Sequence, residues 1–215
     1  MASFLRVESL ERWEGAGRLG EALRALLSVC ALILIRPIDF FRTLAAGGGN
    51  FRRRMVRALL FAVVMGYVKF FCDAAHLYGL VLVARKGVFP AAFAGQINAI
   101  HNAFIGSPFV FARPLVSFFI TLAVVTFSVK LVFGVRRKLV AAFLAVCYTS
   151  AAQALCLLPV VGGILSSVWM VALLTVGIRE LYRLGVWQAV FAAVLMPLVI
   201  LIFHILLKLQ VFYLI

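Results

Sequence analysis

Three polar side chains inside one apolar run are the residues of this sequence best suited to chemistry. Lys69, Asp73 and His76 follow one another at spacings of four and three residues within the run 58–84. On a helix these spacings place all three side chains on one face. A charge near the bilayer centre costs about 2.5–3.5 kcal/mol on insertion scales, so this face is expected to point into a helix bundle or a wet cavity.

This polar face has two interpretations. In the first, Lys69 and Asp73 pair and form a structural strut, because buried ions are usually paired. In the second, Asp73 and His76 are protonatable groups beside a substrate or proton route, and Gln153 of a later apolar run lies at a similar depth. The sequence thus predicts an intramembrane polar cluster of Lys69, Asp73, His76 and Gln153, with no catalytic residue assigned.

The composition indicates a membrane protein. Hydrophobic residues make up 66% of the 215 residues and charged residues only 13%, whereas a soluble domain is roughly half apolar and a quarter charged. The 21 Lys and Arg residues outnumber the seven Asp and Glu, and they stand mostly between apolar runs. This distribution favours lipid headgroups over nucleic acid as the partner of the basic residues.

Five apolar runs are each long enough to cross about 30 Å of hydrocarbon. The sequence therefore predicts an all-α fold, a polytopic membrane helix bundle with five transmembrane helices. The predicted spans are 58–84, 115–135, 139–158, 160–178 and 186–207.

The segment 1–56 is predicted to be a cytoplasmic arm with interfacial helices. Its apolar run is shorter than the roughly twenty residues that a spanning helix needs, although a membrane-crossing course for 22–35 is the alternative. Further along, Phe40, Phe41 and Leu44 share one helical face, a pattern typical of a helix in the headgroup plane.

Residues 57–208 are predicted to form the transmembrane domain and 209–215 a short C-terminal tail. The uncharged, aromatic stretch 88–112 between the first two spans is expected to form an amphipathic helix on the outer surface.

The charge distribution predicts the orientation, because short cytoplasmic loops are enriched in Lys and Arg. With the N-terminus inside, cytoplasmic segments hold fifteen of the 21 basic residues and outer segments hold four. The C-terminus is then expected on the far side. Arg52, Arg53, Arg54, Arg179 and Glu180 are predicted to form a cytoplasmic face for anionic lipid headgroups or a protein partner.

No pattern for catalysis or cofactor binding is found. The four cysteines lie within apolar runs without Cys/His spacing suited to zinc. Gly47–Gly49 lacks the flanking residues of a phosphate-binding loop, and no nucleophile elbow or zinc-protease motif occurs. The sequence therefore predicts a non-enzymatic protein with no cofactor and no metal.

Several short motifs occur one after another along the chain. They are Arg36-Pro37 with Phe40-Phe41 before a Gly-rich break, Ser107-Pro108 before the second span, Tyr148-Thr149-Ser150, Leu158-Pro159 through Gly162-Gly163, Trp169, Gly177 through Leu181, and Leu184 through Trp187.

In this pattern the chain resembles the Yip domain family, multi-spanning proteins named in eukaryotes for interaction with Ypt/Rab GTPases and associated with traffic between ER and Golgi. The resemblance covers roughly 36–207 and is strongest from Leu139 onward. It implies five spans, a cytoplasmic N-terminus and a short C-terminus on the far side. The long acidic N-terminal domain of eukaryotic members is lacking, and the chain looks more like a bacterial member.

Two functions are compatible with these observations. The first is an adaptor or membrane-organising protein whose partners are anionic headgroups and a protein or a second copy of the chain. The alternative is a small transporter, channel or lipid-handling protein that uses the intramembrane polar cluster. The first predicts that substituting Arg52 to Arg54 harms function more than neutralising Asp73; the second predicts the reverse. The expected location is a bacterial inner membrane, with the ER or Golgi membrane as the alternative.

Overall fold

The computed structural model describes residues 12–13, 19–46, 51–105, 110–133, 139–158, 161–195 and 198. Within these ranges every regular element is helical, which confirms the predicted all-α class. Two 3-10 segments accompany the α-helices, Val110–Ala112 before α5 and Ser150–Leu157 after α6. The α-helices are α1 Leu19–Ile35, α2 Pro37–Ala46, α3 Phe51–Arg85, α4 Ala91–Ile105, α5 Arg113–Phe133, α6 Leu139–Thr149, α7 Gly162–Tyr182 and α8 Val186–Leu195.

In the part of the chain that the structure describes, four helical segments are long and apolar enough to cross a membrane. They correspond to the first four predicted spans. The fifth predicted span, 186–207, begins with α8, and most of its remainder lies outside the described residues, so it stays a prediction. The four segments are Arg52–Arg85, Arg113–Lys130, Leu139–Leu157 and Gly162–Tyr182.

The directions of these helices follow from contacts at both of their ends. The Phe61 ring lies 5.4 Å from that of Tyr148, and five residues later Gly66 faces Gln153, so α3 and α6 run parallel. Phe118 of α5 packs on Phe143 of α6 with ring centroids 6.2 Å apart, while the start of α5 lies beside Gly66. Accordingly, α5 runs opposite to α6.

The fourth of these segments, α7, is antiparallel to α6. Its first residue, Gly162, lies against Leu155 and Cys156, and Gly177 near its end lies against Ala145. The starts of α3 and α6 and the end of α7 therefore meet at one end of the bundle. We call this the basic end, because it holds Arg52, Arg53, Arg54, Arg57, Arg179 and Arg183.

The centre of the bundle is α6 with its 3-10 extension. Of the segment Leu139–Leu157, 61% is buried within the chain, against 28% or less for the other three spans. Small residues make this close packing feasible, since they let neighbouring backbones approach. The buried small residues of this segment include Ala142, Ala145, Thr149, Ala151 and Ala152.

Helices α1 and α2 share this core. In α2, Phe40, Phe41 and Leu44 are all buried, which confirms that they occupy one face. The Phe40 ring lies 5.0 Å from that of Tyr148, at the centre of the bundle. In α1, the Cys30 thiol lies 3.9 Å from the Ala151 carbonyl oxygen. The buried faces of both helices thus pack on the transmembrane helices.

The end of α7 differs from the sequence prediction. The predicted fourth span ends at residue 178, whereas the helix continues to Tyr182 and includes Arg179 and Glu180. Burial of Ile178 and Tyr182, one turn apart, supports this last turn. Arg183 then adopts a left-handed conformation, with φ of 53°, and ends the helix.

The stretch 88–112 contains a helix, α4, whereas its location on the outer surface stays a prediction. It packs against the second half of α3, where Ile97 contacts Val81 and Ala84. Helix α3 has 35 residues, a length of about 52 Å at 1.5 Å per residue. Because this exceeds the hydrocarbon thickness of about 30 Å, α3 extends well beyond the neighbouring span α5 at the end that α4 covers.

Candidate functional site: a polar cavity between α3, α5 and the 3-10 segment

A cavity of about 300 Å³ lies between α3, α5, α6 and the 3-10 segment that follows α6. It brings together three of the four residues of the predicted polar cluster, Lys69, Asp73 and Gln153. The remaining lining residues are Ala62, Gly66, Phe70, Arg113, Pro114, Ser117, Phe118, Thr121, Val146, Ser150 and Met170.

Lys69 and Asp73 form an ion pair along α3. The Lys69 Nζ donates to Asp73 Oδ2 at 2.7 Å. Their side chains are 39% and 44% exposed, so the pair is accessible from the mouth of the cavity. The ion pair is therefore present, and it lines an open polar space.

The structure does not bring His76 into the cavity. Its side chain is exposed and is not among the lining residues. His76 lies on the predicted face of α3. It is seven residues after Lys69, however, which places it about 10 Å further along the helix axis. At that level α3 has passed the start of α5, so α5 does not stand opposite His76.

The cavity lies at the start of α5. The Tyr67 hydroxyl donates to the Phe111 carbonyl oxygen at 3.0 Å, and the Phe70 and Phe111 rings are 5.9 Å apart. From Arg113 to Lys130 the span α5 extends about 26 Å, close to the full hydrocarbon thickness of about 30 Å. Lys69 and Asp73 thus lie level with the start of this span, away from the basic end, and their depth in the membrane stays a prediction.

Gln153 contributes an acceptor that no described group satisfies. Its Oε1 atom is buried and receives no hydrogen bond. It faces Gly66, where an added Cβ would lie 4.0 Å from Oε1 and 3.4 Å from the Pro114 Cβ. Ser150 stands three residues before Gln153, and the 3-10 repeat of three residues per turn aligns them. Both side chains consequently line the cavity.

The sequence prediction did not assign three of the polar residues to this site. Arg113 stands just before the predicted second span, and Ser117 and Thr121 lie within it. Their common spacing of four residues places Arg113, Ser117 and Thr121 on one side of α5, and this side lines the cavity. The sequence shows this spacing and therefore the shared face. It does not show which helix packs opposite that face.

The residues of the predicted cytoplasmic face do not share one environment in the structure. Arg52 and Arg53 line a shallow concavity of about 250 Å³ together with Val56 and Arg57, and the Arg57 guanidinium lies 5.5 Å from the centre of the Trp13 ring. Arg54, at the same end of α3, is half-buried.

Glu180 forms an ion pair within the helix bundle. Arg42 Nε donates to Glu180 Oε2 at 2.9 Å, and only 12% of the Glu180 side chain is exposed. Arg179 Nε lies 3.7 Å from the other carboxylate oxygen. The pair joins α2 to the last turn of α7, so most of the Glu180 side chain is withdrawn from the predicted partner face.

No family model, curated protein or solved structure matches this chain. The resemblance to the Yip domain family accordingly stays a prediction. The four membrane-spanning helices and the geometry of the cavity are the observations on which a function can be based.

Proposed function

We propose that this integral membrane protein binds a small amphipathic ligand in the polar cavity and acts as a lipid-handling or transport protein. One observation carries the proposal: Lys69, Asp73, Arg113 and Gln153, from three separate elements, converge on one space of about 300 Å³. Polar groups that serve only to hold helices together would be expected to contact one another directly. Here they surround a volume at the lower end of the range for small-molecule sites.

The position of the cavity favours capture of a ligand from one leaflet. The side chains of Lys69 and Asp73 are each about two-fifths exposed, so the ligand can enter from the surface of the bundle. The cavity is at the level where α5 begins, the end of the bundle that holds Arg113. A ligand with a polar head and an apolar body would place the head at this boundary.

The test is to fill the cavity and identify what is lost. Ser117→Phe places a large ring in the cavity from an exposed position on α5. Ser167→Phe is the matched control, because Ser167 is also exposed on a spanning helix but does not line the cavity. After gentle extraction, the lipids and small molecules that remain bound are identified by mass spectrometry.

A molecule retained by the wild type and by Ser167→Phe but lost from Ser117→Phe is the expected result. If the Ser117→Phe variant retains the same bound molecules as the wild type, the proposed function is wrong.

A second function, a membrane adaptor, is favoured by one feature of the basic end. The concavity lined by Arg52, Arg53, Val56 and Arg57 offers guanidinium groups to anionic headgroups or to acidic segments of a protein partner. A protein that copurifies stoichiometrically with the wild type and with Asp73→Asn, but not with the Arg52→Gln/Arg53→Gln double variant, would support this function. Retention of that protein by the double variant would contradict it.

A further inference from the structure

Positive charge exceeds negative charge around the cavity. Lys69 and Arg113 contribute two cations and Asp73 one carboxylate, which leaves one net positive charge among the lining residues. Lys69 donates to Asp73, and Arg113 is the second cation of the lining. A guanidinium group presents its donors in a planar fork that matches the oxygens of a phosphate group.

Arg113 is also placed at a favourable depth. It is the first residue of α5, and the positive end of a helix dipole adds to its charge. Because the span that follows is about as long as the hydrocarbon is thick, its first residue falls at the level of lipid phosphates. An anionic group held there need not be carried into the hydrocarbon.

The lining of the cavity also contains apolar side chains. Among them are Phe70 of α3, Phe118 of α5 and Met170 of α7. Apolar chains attached to a headgroup in the cavity would contact these side chains, whereas a free inorganic anion would leave them unused.

The neutral polar groups specify the rest of the headgroup. The buried Gln153 Oε1 receives no hydrogen bond from the described residues and so requires a donor. Ser150 already donates its hydroxyl hydrogen to the Cys147 carbonyl oxygen, which leaves its oxygen as an acceptor as well. A ligand hydroxyl group satisfies acceptors of this kind, and a quaternary ammonium group does not.

We infer that the ligand of the cavity is a membrane lipid whose headgroup carries an anionic phosphate and at least one hydroxyl group. The phosphate contacts Arg113 and Lys69, the hydroxyl donates to Gln153, and the acyl chains contact the apolar side chains of the lining. This inference rests on the proposed function, since it names the class of the ligand that the cavity takes.

The inference is tested by native mass spectrometry of the full chain in detergent, with short-chain phosphatidylglycerol as the probe and short-chain phosphatidylcholine as the comparison. Phosphatidylglycerol is expected to bind the wild type more tightly. Arg113→Gln is expected to weaken that binding roughly tenfold, the effect of losing one charge-assisted contact. Arg113→Lys should restore part of it, and Arg85→Gln, which removes a cation at the far end of α3, should leave it unchanged.

Asp73→Asn gives the sharpest outcome. Removing the single carboxylate of the cavity is expected to tighten phosphatidylglycerol binding by roughly threefold or more, because Lys69 is no longer neutralised. The Lys69→Gln/Asp73→Asn double variant also loses the Lys69 contact with the phosphate and should bind phosphatidylglycerol more weakly than Asp73→Asn. A gain in affinity cannot come from a damaged fold. The Asp73→Asn measurement therefore tests the inference even if Arg113→Gln does not fold.

Three results would overturn the inference. Binding of phosphatidylcholine equal to that of phosphatidylglycerol would contradict recognition of the net negative charge and the hydroxyl group of the headgroup. Weaker phosphatidylglycerol binding to Asp73→Asn would contradict recognition of its negative charge. Displacement of the lipid by inorganic phosphate alone would assign the site to a free anion. If Ser117→Phe loses its bound molecule while these charge variants have no effect, the proposed function stands and only this inference fails.

Discussion

The ring of Phe41 lies directly against the α-carbon of Gly177. A Cβ atom built at position 177 would meet the Cζ and Cε1 atoms of Phe41 at 3.1 and 3.2 Å, closer than ordinary van der Waals contact. Phe41 is completely buried. The glycine therefore allows α2 to pack against α7, and the Arg42–Glu180 ion pair forms beside this contact.

Gly177→Ala is expected to destabilise the protein. Overpacking a buried contact costs about 1–3 kcal/mol, while alanine regains about 1 kcal/mol of helix propensity relative to glycine. The net result should be a lower apparent melting temperature in detergent. Adding Phe41→Leu to Gly177→Ala should recover part of the loss by making room for the methyl group. A melting temperature equal to or above that of the wild type for Gly177→Ala would contradict the contact.

Gly162→Ala is expected to cost more than Gly177→Ala. A Cβ at position 162 would lie 2.5 Å from the Leu155 carbonyl oxygen and 3.0 Å from the Cys156 Cα. Backbone atoms cannot rotate away as a ring can, so about 3 kcal/mol or more should be lost. Gly163→Ala is the matched control in the next position, because a Cβ there meets nothing within 4 Å. Equal melting temperatures for the two variants would rule out this close approach.

Arg42 and Glu180 are expected to be coupled. A double-mutant cycle with Arg42→Gln and Glu180→Gln should give a coupling of about 0.5–1 kcal/mol in unfolding free energy, because Arg42 is 60% exposed and solvent weakens the pair. The coupling should decrease as salt is added. Strict additivity of the two single variants at low salt would show that the pair makes no contribution.

The Lys69–Asp73 pair should also show coupling. Lys69→Gln leaves a carboxylate in the cavity and Asp73→Asn leaves an ammonium group, so each single variant loses one partner of the 2.7 Å contact. The double variant should be more stable than the sum of the single losses predicts, by at least about 0.5 kcal/mol. Unfolding of the four proteins in the same lipid nanodiscs measures this coupling. A coupling of zero would indicate that the two charges act independently.

Gln153→Leu should separate stability from binding. Removing a buried acceptor without a hydrogen-bond partner is expected to keep the melting temperature or raise stability by up to about 1 kcal/mol. The recovery of the bound ligand should fall in the same variant. Gln96→Leu, at an exposed position on α4, should leave ligand recovery unchanged. A Gln153→Leu variant that is destabilised and retains its ligand would assign the residue a structural role.

The sequence by itself determined the features that depend on local pattern. Apolar runs of sufficient length predicted four helices that the structure contains, since hydrophobicity and length alone decide whether a helix can cross a membrane. The Lys69–Asp73 contact could also be predicted, because residues four apart on one helix are always neighbours. That Phe40, Phe41 and Leu44 share one face followed from the same periodicity, whereas the burial of this face against the bundle did not.

Only the tertiary structure decided which helices stand opposite one another. Arg42 and Glu180 are 138 residues apart in the sequence, and the contact of Tyr67 with Phe111 spans 44 residues. The second contact fixes the start of α5 beside the middle of α3, which brings Arg113 to Lys69 and leaves His76 outside the cavity. Periodicity determines the face of a helix on which a side chain lies, whereas the packing of small residues such as Gly66 and Gly177 determines which helix meets that face and at what height.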